Sequence, residues 1–575
     1  LSPQNPLFTR IGQMFIEEWE KEFGKNDYYI VDSFNEMEIP FPPKGTKERY
    51  SLLADYGDKV YSSIKAGNPD AIWVMQGWMF GYQRHIWDYE TLQSLVSKVP
   101  NEKMLLLDLA EDYNHLFWKN GANWEFYKGF YGKEWVYSVI PNMGGKSGLT
   151  GDLDFYANGR LEALHSANKG KLTGYGMAPE GIENNEVIYE LVSDGGWTAD
   201  VIDVDKWLYN YSLCRYGSVS DKVTEFWDGM RKSVYGSFTD HPRYNWQFRP
   251  GSIRKGSINA NDAFYQGIET LGNAIPDMKD SPLFAVDMVE MTVQYLGGKV
   301  EILAQAIDLA YQNGDMDKAT AMEAEFEVLI LGADRLLCSH PTLRLENWLA
   351  YASNWGGTLE LKNYYERNAR RIVTVWGPPV DDYSARIWSG LLRDYYLPRW
   401  KQYFAAKRTG KASDITGWEL SWVEKERGLS EAEPYKDVLA GCTELIARAK
   451  SIDNSLLKTM NGEQLGSWTP SDVGNDWQEV VWNMPVSKAA LLEGVRFQHT
   501  RGTAGLEIEE VVLEMDGVEI CNVTQYGSTG LENVNNIYML SIPKDAIGNN
   551  SCRLRAKVKS SGEGESYGTV MMIMK

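Results

Sequence analysis

Cysteine and histidine are scarce in this chain, five and six among 575 residues. The cysteines (214, 338, 442, 521, 552) form no CxxC pair, and the histidines (85, 115, 165, 241, 340, 499) no local ligand pair. That spacing argues against a zinc site and against a dense disulfide framework. No metal or cofactor is expected. Long apolar runs are missing as well: nothing approaches the roughly 18 residues of a membrane-spanning helix. The opening "LSPQNPLFTRIGQMF" has no basic segment followed by an apolar core, so no signal peptide is visible, and it lacks an initiator Met. Positive charge is in deficit, with 58 Lys and Arg against 79 Asp and Glu, net -21. Without a basic face, the phosphate contacts that dominate nucleic-acid affinity have no source, and a neutral substrate fits better.

Two motifs tempt and fail. "MGGKSG" at 143–148 has Ile140 where a phosphate loop needs glycine, and "GKSG" lacks the GxSxG spacing of a nucleophile elbow. "CNVT" at 521 and "NNSC" at 549 fit the glycosylation sequon, but three-residue matches arise by chance. Aromatic residues, by contrast, are plentiful: 13% of the chain, including 21 Trp and 33 Tyr. Some fill cores. Others suit a cleft, since flat rings stack on the C–H faces of sugars while Tyr and Trp donate hydrogen bonds.

The length calls for several domains. Over residues 1–196, five short apolar runs read as strands, starting at 28, 72, 104, 135 and 172, with crossover-length segments between them. That alternation predicts βαβ units of a (β/α)8-type barrel, buried on both faces. Five strands are fewer than the barrel's eight. The reading is that the chain starts inside the barrel, with about three βα units missing upstream: either another chain supplies them or the sequence is incomplete. Residues 197–454 read as an α-helical bundle: Val289, Val293, Leu296, Val300, Leu303, Ile307 and Ala310 form one stripe, and Met322, Phe326, Leu329, Ala333 and Leu336 another. From 455 to 575 the period is two. Val511, Leu513 and Met515, the turn Asp516-Gly517, then Val518 and Ile520 predict a hairpin within a β-sandwich, a carbohydrate-binding or interaction module. The fold class is thus multidomain: α/β, all-α and all-β in succession.

Two carboxylates stand at predicted strand exits, Glu36 in "YYIVDSFNEMEIP" and Glu180 in "GYGMAPEGIENNEV". In such barrels the active site lies at the C-terminal strand ends. A solvated or helix-capping glutamate is the plain alternative for either. Pro179 and Gly181 bracket Glu180 with a rigid and a permissive residue, as a tight turn holding one carboxylate requires.

"DSFNEM", "WVMQGW", "NMGG", "GMAPEGIENNEVIYEL" and "VWGPPVDDYSARIWSGLLRDYYLPRW" together resemble the α-N-acetylglucosaminidase family, glycoside hydrolase family 89, in order from the start to about residue 405. The resemblance implies an exo-acting retaining glycosidase that removes terminal α-linked N-acetylglucosamine from a glycan. It implies Glu36 as general acid/base and Glu180 as nucleophile. Asn35, Tyr61, Trp78, Asn142, Trp376 and Tyr383 would contact the sugar, so the helical domain should help shape the pocket. Family members carry further barrel strands before "NEM", and this sequence does not.

Chemistry agrees with that implication. In an α-linked N-acetylglucosaminide the 2-acetamido group is cis to the leaving group and cannot attack from behind, so the protein must supply the nucleophile. Retaining enzymes place the two carboxyls about 5 Å apart. The acid must enter the cycle protonated, its pKa raised by burial and the neighbouring anion. The competing reading is a non-catalytic glycan-binding protein on the same scaffold. The acidic chain and sparse cysteines lean towards an exported bacterial enzyme, periplasmic or extracellular; an animal relative would be lysosomal.

Overall fold

The computed structural model describes residues 1–181, 183–250, 258–312, 314–377, 381–425, 428–431, 433–454, 463–489, 491–524, 526–529, 536–543 and 551–574. The sequon Asn549 and the expected start of the sandwich at 455 lie outside them. Two compact units result. The first comprises 1–141, 152–180 and 186–204; the second comprises 142–151, 181–185 and 205–575.

The first unit is built on five parallel strands paired in sequence order: β1 (Tyr28–Ile30), β2 (Ile72–Gln76), β3 (Met104–Asp108), β4 (Glu134–Val139) and β5 (Lys171–Met177). Parallel neighbours need crossovers. Among them are α2 (Lys47–Gly67), α3 (Tyr89–Val96) and α4 (Leu153–His165), while α1 (Pro6–Phe23) precedes the sheet and α5 (Glu186–Gly195) follows it. Side-chain caps fix where these helices start: Thr46 accepts from Arg49 N, Asp88 from Thr91 N and Asp152 from Phe155 N. The apolar runs become the buried centre of the sheet, with Trp73, Met75, Leu106 and Trp135 fully enclosed. Its edges differ from the expectation of burial on both faces. Tyr28 and Ile30 of β1 are more than half exposed, as are Leu7, Ile11, Phe15 and Phe23 of α1, whose buried residue is Ile16.

The second unit carries α6 (Pro282–Gln312), α7 (Met316–Leu337), α8 (Leu345–Asn354), α9 (Leu359–Ile372), α10 (Leu397–Thr409), α11 (Ile415–Val423) and α12 (Val438–Ala449). The seven-residue stripe from Val289 to Ala310 is buried, as are Phe326, Leu329, Ala333 and Leu336 on α7. The described strands after 463 form a sandwich. β6 (Glu463–Trp468), β8 (Leu492–Arg501), β11 (Ile537–Met539) and β13 (Tyr567–Met574) make one sheet, in the order β11-β8-β13-β6. β7 (Gln478–Met484), β9 (Leu506–Met515), β10 (Val518–Val523) and β12 (Cys552–Ser560) make the other, in the order β10-β9-β12-β7. Trp468, Phe497, Leu513, Leu554 and Val570 share the core between them. Met515 pairs with Val518 across Asp516 (φ 51°) and Gly517 (φ 81°), the left-handed pair a tight hairpin requires. The outer face of β12 is a charge ladder: Lys559 pairs with Glu507 at 3.0 Å and Arg555 with Glu479 at 2.9 Å. All five cysteines are free, and among the described residues no helix is long and apolar enough to cross a membrane.

Candidate active site

At the exit of β1 the backbone stays in the ladder as far as Val31, whose N–H donates to Val74 O at 3.0 Å. It then turns sharply: Phe34 (φ 57°) and Glu36 (φ 51°) both take left-handed conformations that bulky residues avoid. The Phe34 ring packs at 4.6 Å on Tyr56 and 5.8 Å on Phe41, which leaves Asn35 and Glu36 exposed. The burial expected around Glu36 is therefore absent here.

β2 delivers the partner. Gly77 N–H donates to Leu107 O at 2.8 Å, and a Cβ at Gly77 would sit 2.7 Å from that oxygen, so the strand end needs glycine for space. Trp78 follows, its N–H held by Gln76 Oε1 at 2.8 Å and its ring stacked on Tyr82 at 5.3 Å and tilted on Trp118 at 4.9 Å. Thus fixed, Trp78 Nε1–H donates to Glu36 Oε1 at 2.7 Å. Two of the expected residues meet.

Tyr61 does not join them. It is buried on the later half of α2, where Glu102, just before β3, acts on its hydroxyl. A crossover helix runs against the strands it connects, so its later turns lie towards the strand starts, away from the exits. Glu180 lies three residues beyond β5 and is exposed. What calls for glycine at 181 is space: a Cβ there would lie 2.7 Å from Gly145 Cα.

The exit of β3 holds a carboxylate cluster that the sequence reading missed. Asp108, Glu111 and Asp112 are all fully buried. Asn123 binds the first two, through Nδ2 to Asp108 Oδ1 at 2.9 Å and N to Glu111 Oε1 at 3.0 Å, and His115 Nε2 lies 3.1 Å from Glu111 Oε2. Burial pushes Asp108 well above the usual carboxylate range and Glu111 up to about 7. Burial likewise lifts Asp112 to about 6, although Ile140 N donates to both its oxygens (3.0 and 2.9 Å), Tyr113 N at 3.1 Å and Tyr156 Oη at 2.9 Å. The signal was legible in "DLAED" at 108–112, where acids follow an apolar run just as in the stretch carrying Glu36.

In the second unit, three of the motifs converge. Asn142 is buried, and its Nδ2 donates to Asn184 Oδ1 at 2.7 Å and Lys146 O at 3.2 Å; its Oδ1 is buried and has no hydrogen-bond partner among the described residues. Lys146 lies over the Tyr383 ring at 4.3 Å, and Ser384 Oγ donates to Gly144 O at 2.6 Å. Gly144 (φ 70°) and Gly145 (φ 60°) make this approach feasible. Trp376, left-handed at φ 44°, tilts against Tyr383 with 5.2 Å between ring centres, and its N–H donates to Arg371 O at 2.8 Å. Beneath Tyr383, buried Asp382 is clamped by Arg399 at 3.0 Å, and Arg399 also reaches Glu419 at 2.9 Å. Sequence gave no sign of that clamp, whose three residues lie on separate segments.

Residues 1–199 match the family model described as Alpha-N-acetylglucosaminidase (NAGLU) tim-barrel domain, and residues 207–448 match the corresponding C-terminal domain. The chain belongs to the α-N-acetylglucosaminidase family, glycoside hydrolase family 89. Within this family, human α-N-acetylglucosaminidase is 30% identical over 416 residues, covering 71% of this chain and 54% of the human protein. A family 89 glycoside hydrolase from Clostridium perfringens, solved in complex with PUGNAc, is 25% identical with a TM-score of 0.67, covering 78% of this chain and 51% of that one. The same bacterial enzyme in complex with its substrate GlcNAc-alpha-1,4-galactose shares the fold at a TM-score of 0.66, 24% identical over 79% of this chain and 52% of that one. The chain thus spans about half the length of the α-N-acetylglucosaminidase relatives it matches. In them the further length belongs to the same chain, so the expected supply of barrel strands by another chain has no support.

Proposed function

We propose that the chain is a retaining exo-glycosidase acting on terminal non-reducing α-linked N-acetylglucosamine, with Glu36 as general acid/base and Glu180 as nucleophile. The observation that carries this reading is the hold on Glu36: a left-handed backbone at a strand exit and an indole N–H 2.7 Å from its carboxyl. Strain of this kind persists where surrounding structure imposes it, and it clusters at active sites. Strand order supports the pairing. β1 and β5 are the outer strands of five, four steps apart. In an eight-stranded barrel, strands four apart face each other across the axis, so side chains from their exits can approach one anomeric carbon from opposite sides.

In this mechanism Glu180 attacks the anomeric carbon while Glu36 protonates the departing oxygen, giving a covalent glycosyl ester. Glu36, now ionised, takes a proton from water, which opens the ester with net retention. Asn35 and Trp78 in the first unit, and Asn142, Trp376 and Tyr383 in the second, are assigned to sugar binding; Asn142 Oδ1, without a hydrogen-bond partner among the described residues, suits a hydroxyl or amide donor. The bacterial relative's substrate makes a galactose-linked N-acetylglucosamine a reasonable first oligosaccharide to assay.

Replacing Glu180 with Gln should abolish turnover of an aryl α-N-acetylglucosaminide while N-acetylglucosamine still binds, and azide added to Glu180→Ala should give the β-glycosyl azide by NMR. An α-azide from that variant, or undiminished turnover in Glu180→Gln, refutes the assignment. Binding without turnover in the parent chain favours a glycan-holding protein instead.

A further inference from the structure

The helical hairpin α8–α9 presents an aromatic groove that none of the family motifs covers. It encloses about 330 Å³ and is lined by Trp348, Ala352, Trp355, Tyr365, Asn368 and Ile372, among others. Trp355 is 84% exposed. Its backbone closes α8 by donating to Ala352 O at 3.2 Å, a task any residue could perform, so local structure does not account for a solvent-facing indole there. The floor is rigid by comparison. Trp348 Nε1–H donates across the hairpin to Ala369 O at 3.0 Å, and its ring packs on Trp388 at 5.9 Å.

The lining selects a ligand class. It has three aromatic rings, one side-chain amide from Asn368 and no charged side chain. Rings offer faces to apolar C–H groups, an amide offers both a donor and an acceptor to hydroxyls, and the lack of charge disfavours ionic ligands. The volume is at the small end of ligand pockets, suited to one or two sugar rings. Position adds a second argument. Ile372 ends α9, and Trp376 follows four residues on with its N–H bound to Arg371 O at 2.8 Å, so groove and indole are joined by one short folded segment.

We propose that the α8–α9 groove is a subsite for a neutral oligosaccharide. The proposal rests on the reading of Trp376 as a wall of the sugar pocket. It makes the substrate an extended neutral glycan rather than a lone glycoside.

The test uses the whole chain with Trp355→Ala and, separately, Tyr365→Ala, each checked for its fold by circular dichroism. The probe is a neutral tetrasaccharide ending in α-linked N-acetylglucosamine, its Kd followed by calorimetry. Losing one stacked ring should weaken binding about tenfold in each variant, and should raise KM for the tetrasaccharide relative to an aryl α-N-acetylglucosaminide. Unchanged Kd in both folded variants overturns the subsite, whatever the aryl turnover. Preferential binding of a sulfated oligosaccharide over the neutral one overturns it as well. Lack of aryl turnover in the parent chain sinks the hydrolase reading alone, since the calorimetry reads the groove without catalysis.

Discussion

Asp112 offers a quantitative test of how the barrel exits are held. Its fully buried carboxyl accepts from Ile140 N, Tyr113 N and Tyr156 Oη, and so ties the end of β3 to the end of β4 and to α4. Burial outweighs those donors and lifts its pKa from 3.8 to about 6. Below about pH 3 the carboxyl is mostly neutral in both folded and unfolded chains. As pH rises towards 6 the unfolded chain ionises first, so the folded state binds more protons and loses stability. A lift of about two units corresponds to about 3 kcal/mol lost between about pH 3 and 7. Asp112→Asn keeps the shape but cannot titrate. The parent's stability advantage over this variant should therefore shrink by about 3 kcal/mol across that range. Hydrogen exchange of the peptide carrying Ile140, corrected for intrinsic rate at each pH, measures the local opening free energy that decides the matter. A parent-to-variant difference constant within about 0.5 kcal/mol from about pH 3 to 7 would refute the reasoning, because it would mean that Asp112 titrates alike in both states.

Two further outcomes are expected. Trp78→Phe keeps a ring among Tyr82, Tyr113 and Trp118 but removes the donor to Glu36; kcat/KM on an aryl α-N-acetylglucosaminide should fall about 10-fold to 100-fold, in line with a lost charge-assisted hydrogen bond of about 1.5–3 kcal/mol, with little change in melting temperature. Arg399→Met leaves Asp382 and Glu419 buried beside each other with one cation fewer; a destabilisation of about 3–5 kcal/mol is expected from thermal unfolding, and a shift below about 1 kcal/mol would show that the clamp is dispensable.

Local chemistry decided what the sequence disclosed. The strand centres were legible because continuous apolar runs at 72, 104 and 135 can be satisfied by burial on both faces, and the stripes on α6 and α7 because period 3.6 admits one buried side. Asp516-Gly517 declared its hairpin through two residues tolerant of left-handed backbone. The candidate pair Glu36 and Trp78 could be named one by one, but their contact depends on two strands set side by side. That Tyr61 sits buried on the later half of α2, near Glu102, was not legible, because a helix direction is invisible in a motif. The Asp382–Arg399–Glu419 clamp left no trace, since buried ion pairs are made by tertiary packing between segments with no common pattern.

The ion pairs on the outer face of β12 have a practical consequence. Lys559 with Glu507 and Arg555 with Glu479 are solvent-facing, so added salt should screen them while the apolar core between the two sheets keeps the sandwich folded.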